Sequence, residues 1–266
     1  MLAVVTIVSG RAEHLAAQRR GIERSTQTAD LHVVVSMGDP AVIDPTLTVP
    51  REGSALPLAR ARNAGARAAL DAGADLLVFL DVDCIPGPDL LGLYSQHARD
   101  GAVLCGPVTY LPECDGRYPE SLAEWTNPHP ARPDPAPGQV ERGTEWDLFW
   151  SLSFAVTAEA WRTLGGFCED YTGYGGEDTD FGAVARMHDH DHDLLWIGGA
   201  HAYHQWHPVS SPPVEHLGDI VTNAAIFHRR WGRWPMVGWL SAFRDRGLIE
   251  WDARGSTLSL ADTEPI

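Results

Sequence analysis

Two aspartates one residue apart, Asp81 and Asp83, close an apolar run from Leu76 to Leu80. That run reads as a buried strand. Side chains two apart on a strand point the same way, so the two carboxylates crowd one spot at its carboxyl end. They repel each other and lose water unless a cation, or a ligand bearing one, sits between them. In open α/β sheets that edge is where ligands bind. The motif therefore predicts a divalent-metal site that holds a phosphate-containing ligand.

A second constellation runs from Gly165 to Arg186, GGFCEDYTGYGGEDTDFGAVAR. Glycines surround Tyr171 and Tyr174, and Glu177 and Asp178 then open a helix, where carboxylates suit the helix dipole. Asp180 follows. Glycines allow close backbone approach, and Tyr174 beside Glu177 and Asp178 would make a platform with a base.

A third constellation is His201–Pro208, HAYHQWHP, with His201, His204 and His207 spaced by three. One or two imidazoles added to Asp83 give a mixed nitrogen and oxygen site suited to Mn²⁺ or a similar first-row ion. His188–Asp193, HDHDHD, is the tempting decoy. It sits at a polar helix-to-strand junction and reads as a solvated turn.

The elements that must position these groups follow from the pattern. Leu2–Val8, Leu31–Ser36, Leu76–Leu80 and Ala102–Val108 read as strands. Glu13–Arg24, Leu58–Ala72 and Asp89–Arg99 read as the helices between them. That alternation predicts a doubly wound, mostly parallel sheet. Residues 111–146 interrupt it with Pro, Gly and charge, as a functional lid would. Leu148–Val156 resumes as a strand. Helices follow at Ala158–Leu164, Asp178–Met187, Val214–Trp231 and Met236–Arg246, with short strands at Leu194–Ile197 and Ala200–Tyr203. The tail after Asp252 is polar and expected to fray.

The chain has 266 residues, enough for one large domain. Its formal net charge of −16 opposes nonspecific binding to nucleic acid or to an anionic membrane. No apolar run is long enough for a membrane span, and the start does not read as a signal peptide. The four cysteines, Cys84, Cys105, Cys114 and Cys168, show neither zinc spacing nor a disulfide framework. A reducing, cytoplasmic setting is expected.

These residues carry a resemblance. The chain resembles a GT-A glycosyltransferase of the β-1,4-galactosyltransferase-like branch that adjoins glycosyltransferase family 2. Blocks match in order: RAEHL (Arg11–Leu15), LARARNAGARAAL (Leu58–Leu70), FLDVDCIP (Phe79–Pro86), GYGGEDTDF (Gly173–Phe181) and HAYH (His201–His204). The resemblance spans about residues 2–235. Tyr174 stands where those relatives have Trp, and Ile7, Val8 and Ser9 stand where they have Pro-Phe-Arg.

The resemblance implies an α/β GT-A fold, Rossmann-like, with a mostly parallel central sheet flanked by helices. It implies a nucleotide-sugar half at 1–110, a flexible lid or acceptor loop at 111–147, an acceptor-binding and metal-completing half at 148–250, and a tail. It implies donor contacts from Arg11, Arg62, Asp81 and Asp83, with Asp81 on the ribose. Mn²⁺ or Mg²⁺ would sit on Asp83 and His204, with His201 in place of a methionine ligand. Asp178 would be the general base, with Glu177 and Tyr174 holding the acceptor. The implied reaction is inverting transfer from a nucleotide sugar, UDP-linked by preference, to a carbohydrate or other hydroxyl. Two alternatives stand beside it: a noncatalytic sugar- or nucleotide-binding module of the same fold, and a haloacid dehalogenase-type phosphatase, whose strand also ends in Asp-x-Asp.

Overall fold

A computed structural model describes residues 1–51, 53–114, 117–188 and 192–261. The strands are β1 (Leu2–Val8), β2 (Leu31–Met37), β3 (Leu47–Val49), β4 (Leu76–Leu80), β5 (Cys84–Pro86), β6 (Ala102–Cys105), β7 (Val108–Tyr110), β8 (Val140–Gly143), β9 (Ser153–Thr157), β10 (Asp193–Ile197), β11 (Ala202–His204), β12 (Ile249–Trp251) and β13 (Leu258–Leu260). The helices are α1 (Ala12–Glu23), α2 (Leu58–Asp71), α3 (Leu90–His97), α4 (Ala158–Leu164), α5 (Glu177–Met187), α6 (Leu217–Trp231) and α7 (Val237–Asp245).

Eight strands form one sheet in the order β3-β2-β1-β4-β9-β6-β10-β8. Only β8 and β9 run against the others. Strand alternation divides the core between the two faces. Val5 of β1, Val35 of β2 and Phe79 of β4 face one side and pack with Ala66 of α2, Trp161 of α4 and Phe181 of α5. Val4 and Val78 face the other side and pack with Ile22 of α1 and Leu90 and Tyr94 of α3. Helix α2 lies so close that a Cβ on Gly65 would stand 2.5 Å from Val5 Cγ1. Its small-residue face is therefore required by the sheet beneath it.

Local chemistry sets the element ends near the site. Thr157 caps α4, its hydroxyl accepting from the Ala160 N–H at 3.2 Å, and Gly165 ends that helix left-handed at φ 77°. Helix α5 carries Glu177, Asp178 and Asp180 in its first turn.

Several expectations need correction. The predicted strand Ala102–Val108 is two strands. Residues 102–105 lie in the large sheet, while β7 joins β5 and β11 in a separate three-stranded sheet. The segment 111–147 is not wholly a loop: β8 pairs antiparallel with β10 and forms an edge of the main sheet. The tail does not fray from Asp252, because β13 pairs with β12 and joins a C-terminal cluster with Ile220, Leu240 and Phe243. In the His188–Asp193 run, residues 189–191 lie outside those described, and His192 is buried rather than solvated. Among the described residues no helix is long and apolar enough to cross a membrane.

Candidate active site

The Asp81–Asp83 turn is fixed from below by two buried glutamines. Gln18 lies on the apolar face of α1 with Leu15 and Ile22. Its amide donates to the Asp81 carbonyl at 2.7 Å and to the Cys84 carbonyl at 3.2 Å, while its own carbonyl accepts from Thr6 Oγ1 at 2.9 Å. Gln205 N–H donates to the Asp83 carbonyl at 2.7 Å. Its side chain donates to His14 O at 3.1 Å. The turn is thereby rigid before any ligand arrives.

Strand pairing brings the histidines to this turn. β11 runs antiparallel to β5, placing His204 opposite Cys84, one residue from Asp83. His204 Nε2 lies 3.6 Å from Asp83 Oδ1, and His207 Nε2 lies 3.6 Å from Asp83 Oδ2. One ligand atom from each of the three lies within 4.8 Å of the others. Two imidazoles and a carboxylate at such spacing fit a first-row divalent ion. Burial and the Arg11 cation lower the His207 pKa, which keeps its nitrogen in the neutral, ligating form. Arg11 faces the same carboxylate, with Nη1 2.5 Å from Asp83 Oδ2.

His201 does not join the cluster. It is buried, its Nε2 paired with Thr109 Oγ1 at 2.7 Å. The reason is parity: residues three apart on an extended strand face opposite sides, so His201 turns inward as His204 turns outward. The chain leaves the strand after His204 and brings His207 back. Burial lowers the His201 pKa to about 4.

Arg62 is also placed differently from expectation. Its side chain is 5% exposed, with Nη2 2.9 Å from Asp81 Oδ1 and Nη1 3.1 Å from Glu177 Oε1. The guanidinium is spent on two carboxylates from opposite halves of the chain, so it does not present itself to a nucleotide. Burial raises the Asp81 pKa, and Arg62 opposes that rise.

The acceptor side is built on glycines. Gly173, Gly175 and Gly176 have φ of +72°, +89° and +93°, and a Cβ on Gly173 would strike the Asp219 carboxylate at 2.2 Å. The loop is held by α6. Asn223 Nδ2 donates to the carbonyls of Thr172 at 2.9 Å and Gly175 at 2.8 Å. Asp219 Oδ2 accepts the Tyr174 N–H at 3.1 Å. Asp180, fully buried, accepts from Tyr171 Oη, Arg230 Nε and Trp231 Nε1, so it anchors α5 to α6 rather than serving the site.

Glu177 and Asp178 follow this loop. Glu177 is 5% exposed. Its Oε2 has no hydrogen-bond partner. Burial, followed by the adjacent Asp178 charge, pushes its pKa up to about 7. Asp178 is less enclosed and accepts the Thr179 N–H at 2.7 Å. Burial raises its pKa as well. Tyr174 is 39% exposed. Its ring stacks on His216 at 4.5 Å and on Trp239 at 5.9 Å.

Arg62 links Asp81 to Glu177, and Arg11 pairs with Asp83, so both arginines are engaged by the carboxylates of this region. Sequence reasoning brought most of them together but missed Gln18, Gln205, Asp219, Asn223 and Tyr110, whose ring lies 4.6 Å from His204. Gln18 carried a readable signal, a polar residue at a core position of an amphipathic helix.

The chain is similar to known proteins in sequence and in fold. Residues 139–205 match a family model described as the N-terminal domain of galactosyltransferase. The chain is 34% identical over 154 residues to validoxylamine A glucosyltransferase of Streptomyces hygroscopicus subsp. jinggangensis (strain 5008), a match covering 50% of this chain and 35% of the relative. The chain therefore spans about a third of that curated relative. Among solved structures, S. aureus TarS 1-349 superposes with a TM-score of 0.56 at 13% identity, covering 85% of this chain and 64% of TarS. TarS 1-349 in complex with UDP-GlcNAc superposes at 0.54 and 11% identity, covering 92% and 80%. These likenesses bear out the resemblance read from the motifs: the chain carries the α/β GT-A fold of glycosyltransferases.

Proposed function

We propose that this chain is a metal-dependent inverting glycosyltransferase that moves a sugar from a UDP-sugar to an acceptor hydroxyl. The observation that carries the reading is the site itself. A cluster of Asp83, His204 and His207 lies beside Asp81, and Arg62 ties Asp81 to the helix that begins with Glu177 and Asp178. A match to a galactosyltransferase family model and a fold shared with a UDP-GlcNAc-complexed transferase support the same reading.

Asp83, His204 and His207 would hold Mn²⁺ or Mg²⁺, which as a Lewis acid neutralises charge on a departing diphosphate. Two imidazoles favour Mn²⁺ over Mg²⁺. Arg11 adds a cation on the diphosphate side. Asp81 meets the nucleoside end, its carboxylate kept in place by Arg62. Asp178 takes the proton from the attacking acceptor hydroxyl. Glu177 and Tyr174 hold the acceptor. Glu177 Oε2, buried and without a hydrogen-bond partner, lies at the start of the same helix as Asp178. A single displacement on the face opposite the diphosphate inverts the anomeric centre.

The phosphatase alternative lacks a component, because these 266 residues include no lysine to serve as its partner cation. The binding-module alternative is separated by turnover. Incubation of UDP-glucose, UDP-galactose and UDP-N-acetylglucosamine with the protein and Mn²⁺ should release UDP from one of them. The anomeric configuration of the released or transferred sugar, read by proton NMR, should be β from the α-linked donor. Release with retained configuration contradicts the inverting mechanism, and binding without release supports the module.

A further inference from the structure

Two aromatic side chains border the candidate site from different parts of the fold, and only one of them belongs to the glycine loop. Tyr110, the last residue of β7, pairs in register with His204 of the parallel strand β11. Its ring lies tilted against the His204 imidazole at 4.6 Å and 30°, yet the residue remains 49% exposed. It is firmly rooted. His129 abuts it edge-on at 5.6 Å, and Trp150 backs His129 at 5.2 Å. Tyr174 lies on the acceptor side, held by His216 and Trp239. Tyr110 thus borders the Asp83, His204 and His207 cluster, while Tyr174 comes three residues before Glu177, which Arg62 ties to Asp81 beside that cluster.

We propose that Tyr110 contacts the hexose ring of the donor, forming with Tyr174 the two walls of the slot in which that sugar is transferred. Aromatic faces and phenol hydroxyls together suit a sugar, which offers both C–H faces and hydroxyls. Tyr110 is anchored on a metal-ligand candidate, which would set its ring beside the diphosphate of a bound donor, on the side where the hexose begins. This inference rests on the nucleotide-sugar reading of the site.

The test separates sugar from nucleotide. Dissociation constants for UDP, UDP-glucose, UDP-galactose and UDP-N-acetylglucosamine, each with Mn²⁺, are measured by calorimetry on wild type, Tyr110→Phe and Tyr110→Ala. The expected result for Tyr110→Ala is a loss of about 5- to 10-fold for the preferred UDP-sugar, with UDP itself within about twofold. Tyr110→Phe, which keeps the ring, should lose less. Equal weakening of UDP and UDP-sugar would show that Tyr110 only supports His204, and unchanged affinity for every UDP-sugar would show no contact. Either result overturns the proposal while leaving the donor site standing. Absence of UDP binding to wild type removes the donor site and the proposal together.

Discussion

Arg62 on α2 and Glu177 at the start of α5 are joined by a buried ion pair at 3.1 Å across 115 residues of sequence. The same guanidinium holds Asp81, so one side chain sets the distance between the end of the metal-motif strand and the start of the base-bearing helix. Glu177 is buried and Asp81 half-buried, and the cation between them makes both tolerable. Replacing Arg62 with Gln leaves both uncompensated. The expected cost is about 3–5 kcal/mol. At about 2–4 °C per kcal/mol for a chain this size, the melting temperature should fall by about 6–20 °C. A fall within about 2 °C would mean that the pair contributes little.

Asp178 and the metal cluster make separable contributions. Asp178→Asn keeps the size of the side chain and its contact with Thr179 but removes the base. Transfer should fall by about 100-fold or more, while UDP affinity stays within about twofold. Kinetics with the identified donor, alongside UDP titration, checks both halves. Near-normal turnover would remove Asp178 from the mechanism.

The histidines give a sharper contrast. His207→Ala should weaken Mn²⁺ binding by at least about tenfold, since it removes one of three ligands. His201→Asn should leave Mn²⁺ affinity nearly unchanged, because that imidazole is bonded to Thr109 instead. Free Mn²⁺ followed by electron paramagnetic resonance distinguishes the two. Loss of binding in both variants would return His201 to the metal shell.

His201 also has a predictable effect on acid stability. Burial lowers its pKa from 6.5 to about 4. Between these values the unfolded chain binds the proton and the folded chain does not, so stability falls as pH falls through that window. A shift of this size corresponds to roughly 3 kcal/mol. His32, lowered to about 4 by burial and by Arg19, adds to the effect in the same direction. Melting curves from pH 7.5 to 4.5 should be visibly flatter for His201→Asn than for wild type, even if the variant melts lower at neutral pH. Parallel curves would contradict this assignment.

Much of this architecture is legible in the sequence because the sheet is buried on both faces. Leu2–Val8 and Leu76–Leu80 are runs of apolar and β-branched residues that fit few other places, and their expected ends coincide with those of β1 and β4. Paired carboxylates after such a strand, and Glu177–Asp178 after glycines, were readable for the same reason. What the sequence hid depends on pairing at long range. The break at Gly106 and Pro107, which sends β6 and β7 to different sheets, has no periodic signal. The exchange of His207 for His201 follows from where β11 ends, a boundary that spacing by three does not reveal. Asp219 and Asn223 look like ordinary polar residues of α6 until the fold sets them against Gly173 and Gly175. β13 reads as a polar tail because its partner β12 supplies most of the apolar surface.

The most direct test of the donor site is the melting temperature of wild type and Asp83→Ala with UDP, GDP or dTDP, each with and without Mn²⁺. A ligand at about 100 times its dissociation constant stabilises by roughly 2.7 kcal/mol. That corresponds to a shift of about 5–10 °C. The prediction is a shift for wild type with UDP and Mn²⁺ together, and none for Asp83→Ala. A UDP shift that needs no Mn²⁺, one that survives in Asp83→Ala, or no shift with any nucleotide would contradict the metal-dependent donor site.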